Sequence, residues 1–406
     1  MFEPRAVVLI GFGEALAAPE VAWSLVDAGF RVVAFARRGR SSALRHSRHV
    51  TCYEICPPDL DLQASLSELS ALLASLGREA PDLPHVLLPL DDKAVWLASR
   101  VQLQAPWLLA GPSGAHAELA LNKCLQVQAA RDAGFLVPNS VVARTSGEVF
   151  RFVDASVYPV ILKPSECVPL RHGRLHECKK WTCANRDELE QAVAKWGETV
   201  PLLVQSFIAG TGEGIFGLAA PDGVRAWSGH RRVRMMNPQG SGSSACISQT
   251  VDKDLREKAD RLIRQIGWQG LFMIELLRDD AGKVWFVELN GRPWGSMALC
   301  RRQGLEYPAW QADLALDQNS PAGRCAEGVS DVLCRHAGRE FMHLLFVLRG
   351  PRSKAFSGWP SFWRALADVG RVRAKDMVYN WRRDDASVFV SDFWYTIKDN
   401  VFKSKH

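Results

Sequence analysis

Glu275, Glu288 and Asn290 are the residues of this chain whose types and spacing point most directly to chemistry. They sit in two apolar runs, Phe272–Leu277 (FMIELL) and Val284–Ser296 (VWFVELNGRPWGS), separated by Asp279-Asp280-Ala281-Gly282-Lys283. Strand-type runs around such turn chemistry predict an antiparallel hairpin. The two-residue period puts Glu288 and Asn290 on one face, and the pairing register can bring Glu275 beside them. Two carboxylates and an amide oxygen are hard donors that suit Mg²⁺, which takes few protein ligands. Arg292 continues the same face, where a guanidinium can hold a phosphoryl or carboxylate oxygen with two hydrogen bonds. A hairpin whose polar residues merely face solvent is the alternative, but these acids interrupt apolar strands with few water-facing positions.

Further cations stand elsewhere in the chain. Lys163 closes the apolar run Tyr158–Leu162, and a lysine buried there calls for an anionic partner. Arg231, Arg232 and Arg234 are three arginines in four residues, followed by Gly240-Ser241-Gly242-Ser243-Ser244. A glycine-rich loop offers backbone N–H groups to an anion; a mobile loop tip with solvated arginines is the other reading. Residues 165–180 mix Gly, His, Arg and Lys and read as a mobile connection or an ordinary exposed loop.

The elements that must position these residues begin with Ala6–Ile10, a buried-strand run, followed by a helix over Pro19–Ala28 and a strand over Arg31–Ala36. This is a parallel α/β unit. Gly11-x-Gly13 resembles part of a dinucleotide fingerprint, but the third glycine is missing and Arg37-Arg38 stand where an acid should. That disfavours a nicotinamide enzyme and leaves a tight turn that, with Arg37 and Arg38, could hold part of an anionic substrate. A helix over Leu66–Leu76, a strand over His85–Pro89 and a helix over Ala94–Val101 extend the unit. Asp91 and Asp92, between the last two, read equally as a helix cap or as ligand contacts.

Gly111-Pro112-Ser113-Gly114 marks a boundary. A helix is expected over Ala115–Gly134 with Lys123 inside it, then a strand at Leu202–Gly210 and a hairpin of Ile215–Ala219 with Val224–Trp227. An amphipathic helix over Asp254–Ile266 precedes the acidic hairpin, and helices over Ser296–Arg302 and Pro308–Leu316 follow it.

At 406 residues the chain can bury more than one core. No apolar run of about 18 residues appears, so no membrane-spanning helix is expected, and the N-terminus lacks an export pattern. The ten cysteines are scattered, with neither CxxC pairs nor zinc spacing, which fits thiols in a reducing cytoplasm. Residues 331–406 hold 14 Lys and Arg against 8 Asp and Glu, so this tail carries the whole net charge of +6. Its Trp359, Trp363, Trp381 and Trp394 among basic residues fit a subdomain packed on the body, with peripheral membrane contact as the lesser reading. No nucleic-acid motif appears.

Glu275, the Glu288-Leu289-Asn290-Gly291-Arg292 run and Pro293-Trp294-Gly295-Ser296, taken with Lys163 and Lys123 upstream, resemble the ATP-grasp superfamily of carboxylate–amine ligases, in its carboligase-like branch. The resemblance spans roughly residues 5–315. It implies a mixed α/β and α+β fold: a Rossmann-like pre-ATP-grasp domain over 1–110, a two-subdomain ATP-grasp domain over 111–330 and a basic, aromatic C-terminal extension over 331–406.

It also implies ATP with Mg²⁺ or Mn²⁺, an acylphosphate intermediate, and small-molecule carboxylate and amine substrates; related ligases are often dimers. By resemblance Lys123 and Lys163 hold the α- and β-phosphates, and the backbone of Gln205, Ser206, Phe207 and Ile208 reads the adenine edge. Glu275, Glu288 and Asn290 hold metal, while Arg292, Arg232 and Arg234 stabilise the transferring group. Ser206 departs from the family, which commonly has Glu there. A nucleotide-binding scaffold without ligase activity is the alternative function.

Overall fold

The computed structural model describes residues 3–153, 158–177, 179–240, 242–317, 326–351, 358–373 and 375–401. Ser241 of the glycine-rich loop and Cys178 therefore lie outside the described residues.

Five parallel strands form the first sheet, in the order Thr51–Ile55, Arg31–Arg37, Val7–Gly11, His85–Pro89, Trp107–Leu109. The central Val7–Gly11 strand is buried throughout, as a strand covered on both faces must be. Val8 and Ile10 pack with the Ala18–Asp27 helix, while Val7 and Leu9 pack with the Leu62–Glu79 and Asp92–Ala98 helices. The chain runs outward in both directions from this strand. The carboxyl ends of its neighbours therefore open a crevice, and Arg37, Asp91 and Asp92 stand at that edge.

Four antiparallel strands make the second sheet: Trp181–Cys183, Val160–Pro164, Leu202–Ser206 and Ser140–Ala143. Val160, Leu162 and Val204 bury one face against the Ser146–Phe152 and Arg186–Trp196 helices. By alternation Ile161 and Lys163 point the other way.

The third sheet has eight strands. Its main path runs Val284–Asn290, Gly270–Arg278, Thr211–Ala220, Gly223–Met235, Ser243–Gln249, Leu333–Arg335, Met377–Val378. Phe272, Ile274, Phe286 and Leu289 bury one face with Leu255, Ala259, Leu262 and Ile263 of the Lys253–Gln265 helix. On the other face Phe216, Leu218, Leu271 and Met273 join Trp294, Tyr307 and Val21 and Ala22 of the Ala18–Asp27 helix in one core. Farther along that face Glu275 is left beyond the packed region.

The structure corrects three local expectations. The helix foreseen over Ala115–Gly134 is two, Gly114–Leu121 and Lys123–Asp132. Asn122 breaks it by accepting the Cys124 and Leu125 N–H groups at 3.0 and 3.3 Å, the N-cap role that suits Asn. The Val224–Trp227 strand extends to Met235, so the arginines lie on a strand and not on a loop tip. Finally, residues 165–177 are docked. Val168 and Leu175 are buried with the first sheet, the Leu62 N–H donates to the Gly173 carbonyl at 3.1 Å and the Leu175 N–H to that of Pro58 at 2.7 Å.

The C-terminal stretch is packed on the body. Its Leu333–Arg335 strand pairs with Ser243–Gln249. Buried Asp385 accepts from Trp23 Nε1 at 2.9 Å, from the Arg48 N–H at 3.0 Å and from the Ser47 hydroxyl. No helix among the described residues is long and apolar enough to cross a membrane, and peripheral membrane contact gains no support from these contacts.

Candidate active site

Glu275 and Glu288 are directly opposed in the hairpin register, and Asn290 lies opposite Met273. Like charges so placed repel, so something must compensate. Arg232 Nη2 donates to Glu275 at 2.7 Å. Burial opposes the charge on Glu288, but Lys123, the Asn290 amide, Lys163 and Arg292 outweigh it and hold that carboxyl below its usual range. The Asn290 amide nitrogen donates to Glu288 at 3.1 Å, and no donor among the described residues meets its oxygen.

Arg232 can reach Glu275 because of a glycine. The Thr211–Ala220 strand lies between their two strands, and a Cβ at Gly212 would fall 2.6 Å from Arg232 Cδ. The Arg232 stem crosses where that side chain is missing.

The three sheets enclose a cleft of about 1040 Å³. Lys123, Lys163, Phe207, Ile208, Arg232, Arg234, Glu275, Glu288 and Arg292 all line it, and Arg37, Asp91 and Asp92 close it from the first sheet. Most of the residues singled out in the sequence therefore share one cavity. Gln205, Ser206 and Asn290 do not line it; Asn290 is buried two residues beyond Glu288 on the same strand. Gln205 is buried and donates to Ser140 Oγ at 2.7 Å, while the Ser206 and Phe207 N–H groups serve the Asn139 and Pro159 carbonyls at 3.0 and 3.1 Å. Pairing within the sheet claims those donors. No protein acceptor meets the Ile208 N–H among the described residues.

Lys123 opens its helix and donates to Cys167 Sγ at 2.9 Å. Burial pushes that thiol up to about 11, so at neutral pH it is an uncharged acceptor. Burial also opposes the Lys123 charge, which Glu288 and Asp92 help to sustain. Gln126 holds this arrangement together. Its amide donates to the Leu289 carbonyl at 2.9 Å and accepts the Leu289 N–H at 3.0 Å, locking the Lys123 helix onto the edge strand that carries Glu288. The sequence offered no sign of this beyond a polar residue on the helix's apolar face.

Burial lowers the Lys163 ammonium from 10.5 to about 8, with Glu288 pulling the other way. Between about pH 8 and 10.5 the folded lysine thus binds fewer protons than the unfolded one, so its penalty at neutral pH is relieved as pH rises through that window. Lys163→Met is expected to melt a few degrees above wild type at pH 7 without ligand, with the gain gone above about pH 10.5. Circular-dichroism melts across that range check it, and a variant melting below wild type at pH 7 would contradict the assignment.

Arg232 and Arg234 face the cleft, whereas Arg231 is exposed. Arg234 pairs with Glu340, a residue the sequence did not single out, on the Ala337–Arg349 helix. The same helix grips the adjoining loop: Arg339 Nη1 donates to the Ser243 carbonyl at 3.1 Å and His343 Nδ1 lies 2.7 Å from the Met235 carbonyl. Burial lowers the His343 pKa, so the neutral ring donates that bond. Gly242, at φ +94°, passes so close that a Cβ would sit 3.0 Å from Arg339 Nη1.

Among the described residues no group of three or more His, Cys, Asp or Glu is arranged to hold a metal ion. Two carboxylates and an amide oxygen fit a hard ion that keeps water or substrate oxygens in its shell, and they do not fit zinc.

No family model and no curated protein matches the chain in sequence. Solved structures do match in shape. The L-amino acid ligase from Bacillus licheniformis is 17% identical, covering 79% of this chain and 76% of its own, with a TM-score of 0.56. N5-carboxyaminoimidazole synthetase from Staphylococcus aureus complexed with ADP is 14% identical, covering 82% and 81%, with a TM-score of 0.59. The biotin carboxylase domain of Hydrogenobacter thermophilus 2-oxoglutarate carboxylase, solved with MgADP and bicarbonate, is 16% identical, covering 80% and 72%, with a TM-score of 0.58. At these identities the likeness is one of fold.

Proposed function

We propose that this chain, which has the fold of the ATP-grasp ligases, is an ATP-dependent ligase that converts a carboxylate to an acylphosphate, releases ADP and joins the acyl group to an amine. The observation that carries this reading is the single cleft in which Lys123 and Lys163 face the opposed Glu275 and Glu288, with Arg232 and Arg292 beside them.

Lys123 and Lys163 bind the α- and β-phosphates of the substrate ATP, and their burial makes an anion the natural complement. The Ile208 N–H, which meets no acceptor among the described residues, is the donor available to the adenine edge. Glu275, Glu288 and the Asn290 oxygen would hold Mg²⁺, which when bound supplies charge neutralisation at the β- and γ-phosphate oxygens. Arg292 and Arg232 orient the γ-phosphoryl group toward the carboxylate and offset the charge that develops there. Arg234, with the Gly240–Ser244 loop, holds the carboxylate being activated. The amine then attacks the acyl carbon, the C–O bond to phosphate breaks and phosphate leaves.

The division at about residues 110 and 330 belongs to the same reading, supported by the first sheet's separate parallel topology. The 331–406 segment is not independent, since its first strand extends the large sheet. A cytoplasmic location is likewise part of the proposal, supported by the eight cysteines that are free among the described residues.

The thermal midpoint with and without Mg·ATP tests this. An upward, Mg²⁺-dependent shift of several degrees at millimolar nucleotide is expected, corresponding to about 2.7 kcal/mol at a hundredfold excess over Kd. The absence of any shift would remove the nucleotide site. A shift without ADP release across mixtures of acids and amines would favour the non-catalytic scaffold.

A further inference from the structure

Asp91, Asp92 and Lys93 follow the His85–Pro89 strand at the carboxyl edge of the first sheet, and each reaches a different partner. Asp91 caps its helix through the Ala94 N–H at 2.8 Å and pairs with Arg37. Lys93 Nζ lies 3.8 Å from Asp59 and 3.9 Å from Glu177. Asp92 takes no part in the cap. Its Oδ1 accepts from Arg292 Nε, a partner 200 residues away on the segment that follows the acidic hairpin.

The edge of the guanidinium that Asp92 uses is informative. An arginine offers five N–H groups in a rigid plane. With Nε committed to Asp92, Nη1 makes only a 3.5 Å contact to the Pro293 carbonyl, and no acceptor meets Nη2 among the described residues. One carboxylate thus fixes the plane while the terminal amino groups remain for a ligand. Both side chains line the cleft and are 23% and 32% exposed, so the pair is not one of the solvated surface bridges that contribute little.

We propose that Asp92 is the positioning residue for Arg292, through which the first sheet unit aims this arginine at the transferring phosphoryl group. The inference rests on the ligase reading. It makes the contact between the first sheet and the hairpin a condition of the chemistry: an arginine without Asp92 keeps its charge and loses its orientation.

The probe is Mg·ADP with and without aluminium fluoride, a phosphoryl mimic, titrated by calorimetry into wild type, Asp92→Ala, Asp92→Glu, Arg292→Ala and the Asp92/Arg292 double alanine variant. Asp92→Ala is expected to lose roughly tenfold or more of the extra affinity that aluminium fluoride confers, the scale of one charge-assisted hydrogen bond; taken as the ratio of affinities with and without aluminium fluoride, this increment divides out any change in Mg·ADP binding transmitted through Lys123. Asp92→Glu should recover part of it. The double variant should lose no more than Arg292→Ala alone, since both changes remove the same interaction.

Full retention of the aluminium fluoride increment in Asp92→Ala overturns the proposal, as do additive losses in the double variant. So does wild-type protein that binds Mg·ADP but gains nothing from aluminium fluoride. Wild-type protein that binds no Mg·ADP overturns the ligase reading itself, a distinguishable result, and this proposal with it. A thermal midpoint for Asp92→Ala within a few degrees of wild type separates positioning from loss of fold.

Discussion

Glu288→Gln is expected to cut ADP release about a thousandfold or more while the protein remains folded. The glutamine keeps the shape of the side chain and one oxygen, but it removes the charge that faces Lys123, Lys163 and Arg292. Charge stabilisation by a bound metal is worth several kcal/mol, and each ~1.4 kcal/mol is a factor of ten in rate. The loss should therefore be felt mainly in kcat. The fold should survive because Glu275 still stands opposite position 288 and keeps its bond from Arg232. A steady-state assay of ADP release with acid and amine mixtures, beside a thermal melt, tests both halves. Near-normal turnover would remove the metal assignment.

The largest effect on stability is expected from Glu340→Ala. Glu340 is only 6% exposed and accepts from Arg335 Nη2 at 2.8 Å, from Ser244 Oγ and from Arg234. Burial opposes its ionisation, but Arg234, Ser244 and Arg335 hold its pKa below the ordinary 4.5. Alanine would leave the enclosed Arg234 guanidinium without an anion and Arg335 with only Asp376, at 3.5 Å. Breaking such a pair from one side costs about 3–5 kcal/mol, or roughly 6 °C or more in the midpoint of a large domain.

The pH dependence has a definite sign. A carboxyl with a depressed folded pKa contributes stability that is present above its unfolded value and lost as pH falls through the folded one. The gap between wild type and Glu340→Ala should therefore be full at pH 7 and shrink below about pH 4.5. Melts at pH 7 and pH 4 check this; a pH 7 midpoint within about 2 °C of wild type would show that the Arg234 anchor is dispensable.

The acidic hairpin was legible because everything that defines it is local. Period-2 alternation, a five-residue turn and the placement of Glu288 and Asn290 on one face depend on neighbours in the chain. Lys163 was legible for the same reason, as a charge ending an apolar strand. Lys123 was found but misplaced: Asn122 looked like the interior of a long helix, whereas its side chain caps a new one. The 165–180 stretch looked mobile because Val168 and Leu175 are single apolar residues among Gly, His and Arg. No period marks them, and only the core they enter shows that they are buried. Gln205 and Ser206 were expected at the nucleotide, but the Gln205 side chain is committed to Ser140 Oγ and the Ser206 N–H to the Asn139 carbonyl.

What the sequence determined by itself, then, is the type and local placement of the reactive groups: opposed carboxylates with an amide beside them, a lysine at a strand end and arginines on alternate strand positions. The tertiary structure alone decided their partners. Arg292 meets Asp92 from the first sheet, Arg234 meets Glu340 from a helix more than 100 residues later, and Gln126 ties the Lys123 helix to the backbone beside Glu288. The physical reason is range. Turn chemistry and strand alternation act over a few residues and are written in them, whereas the ion pair that orients a buried charge forms between side chains that only the packing of three sheets brings within hydrogen-bond distance.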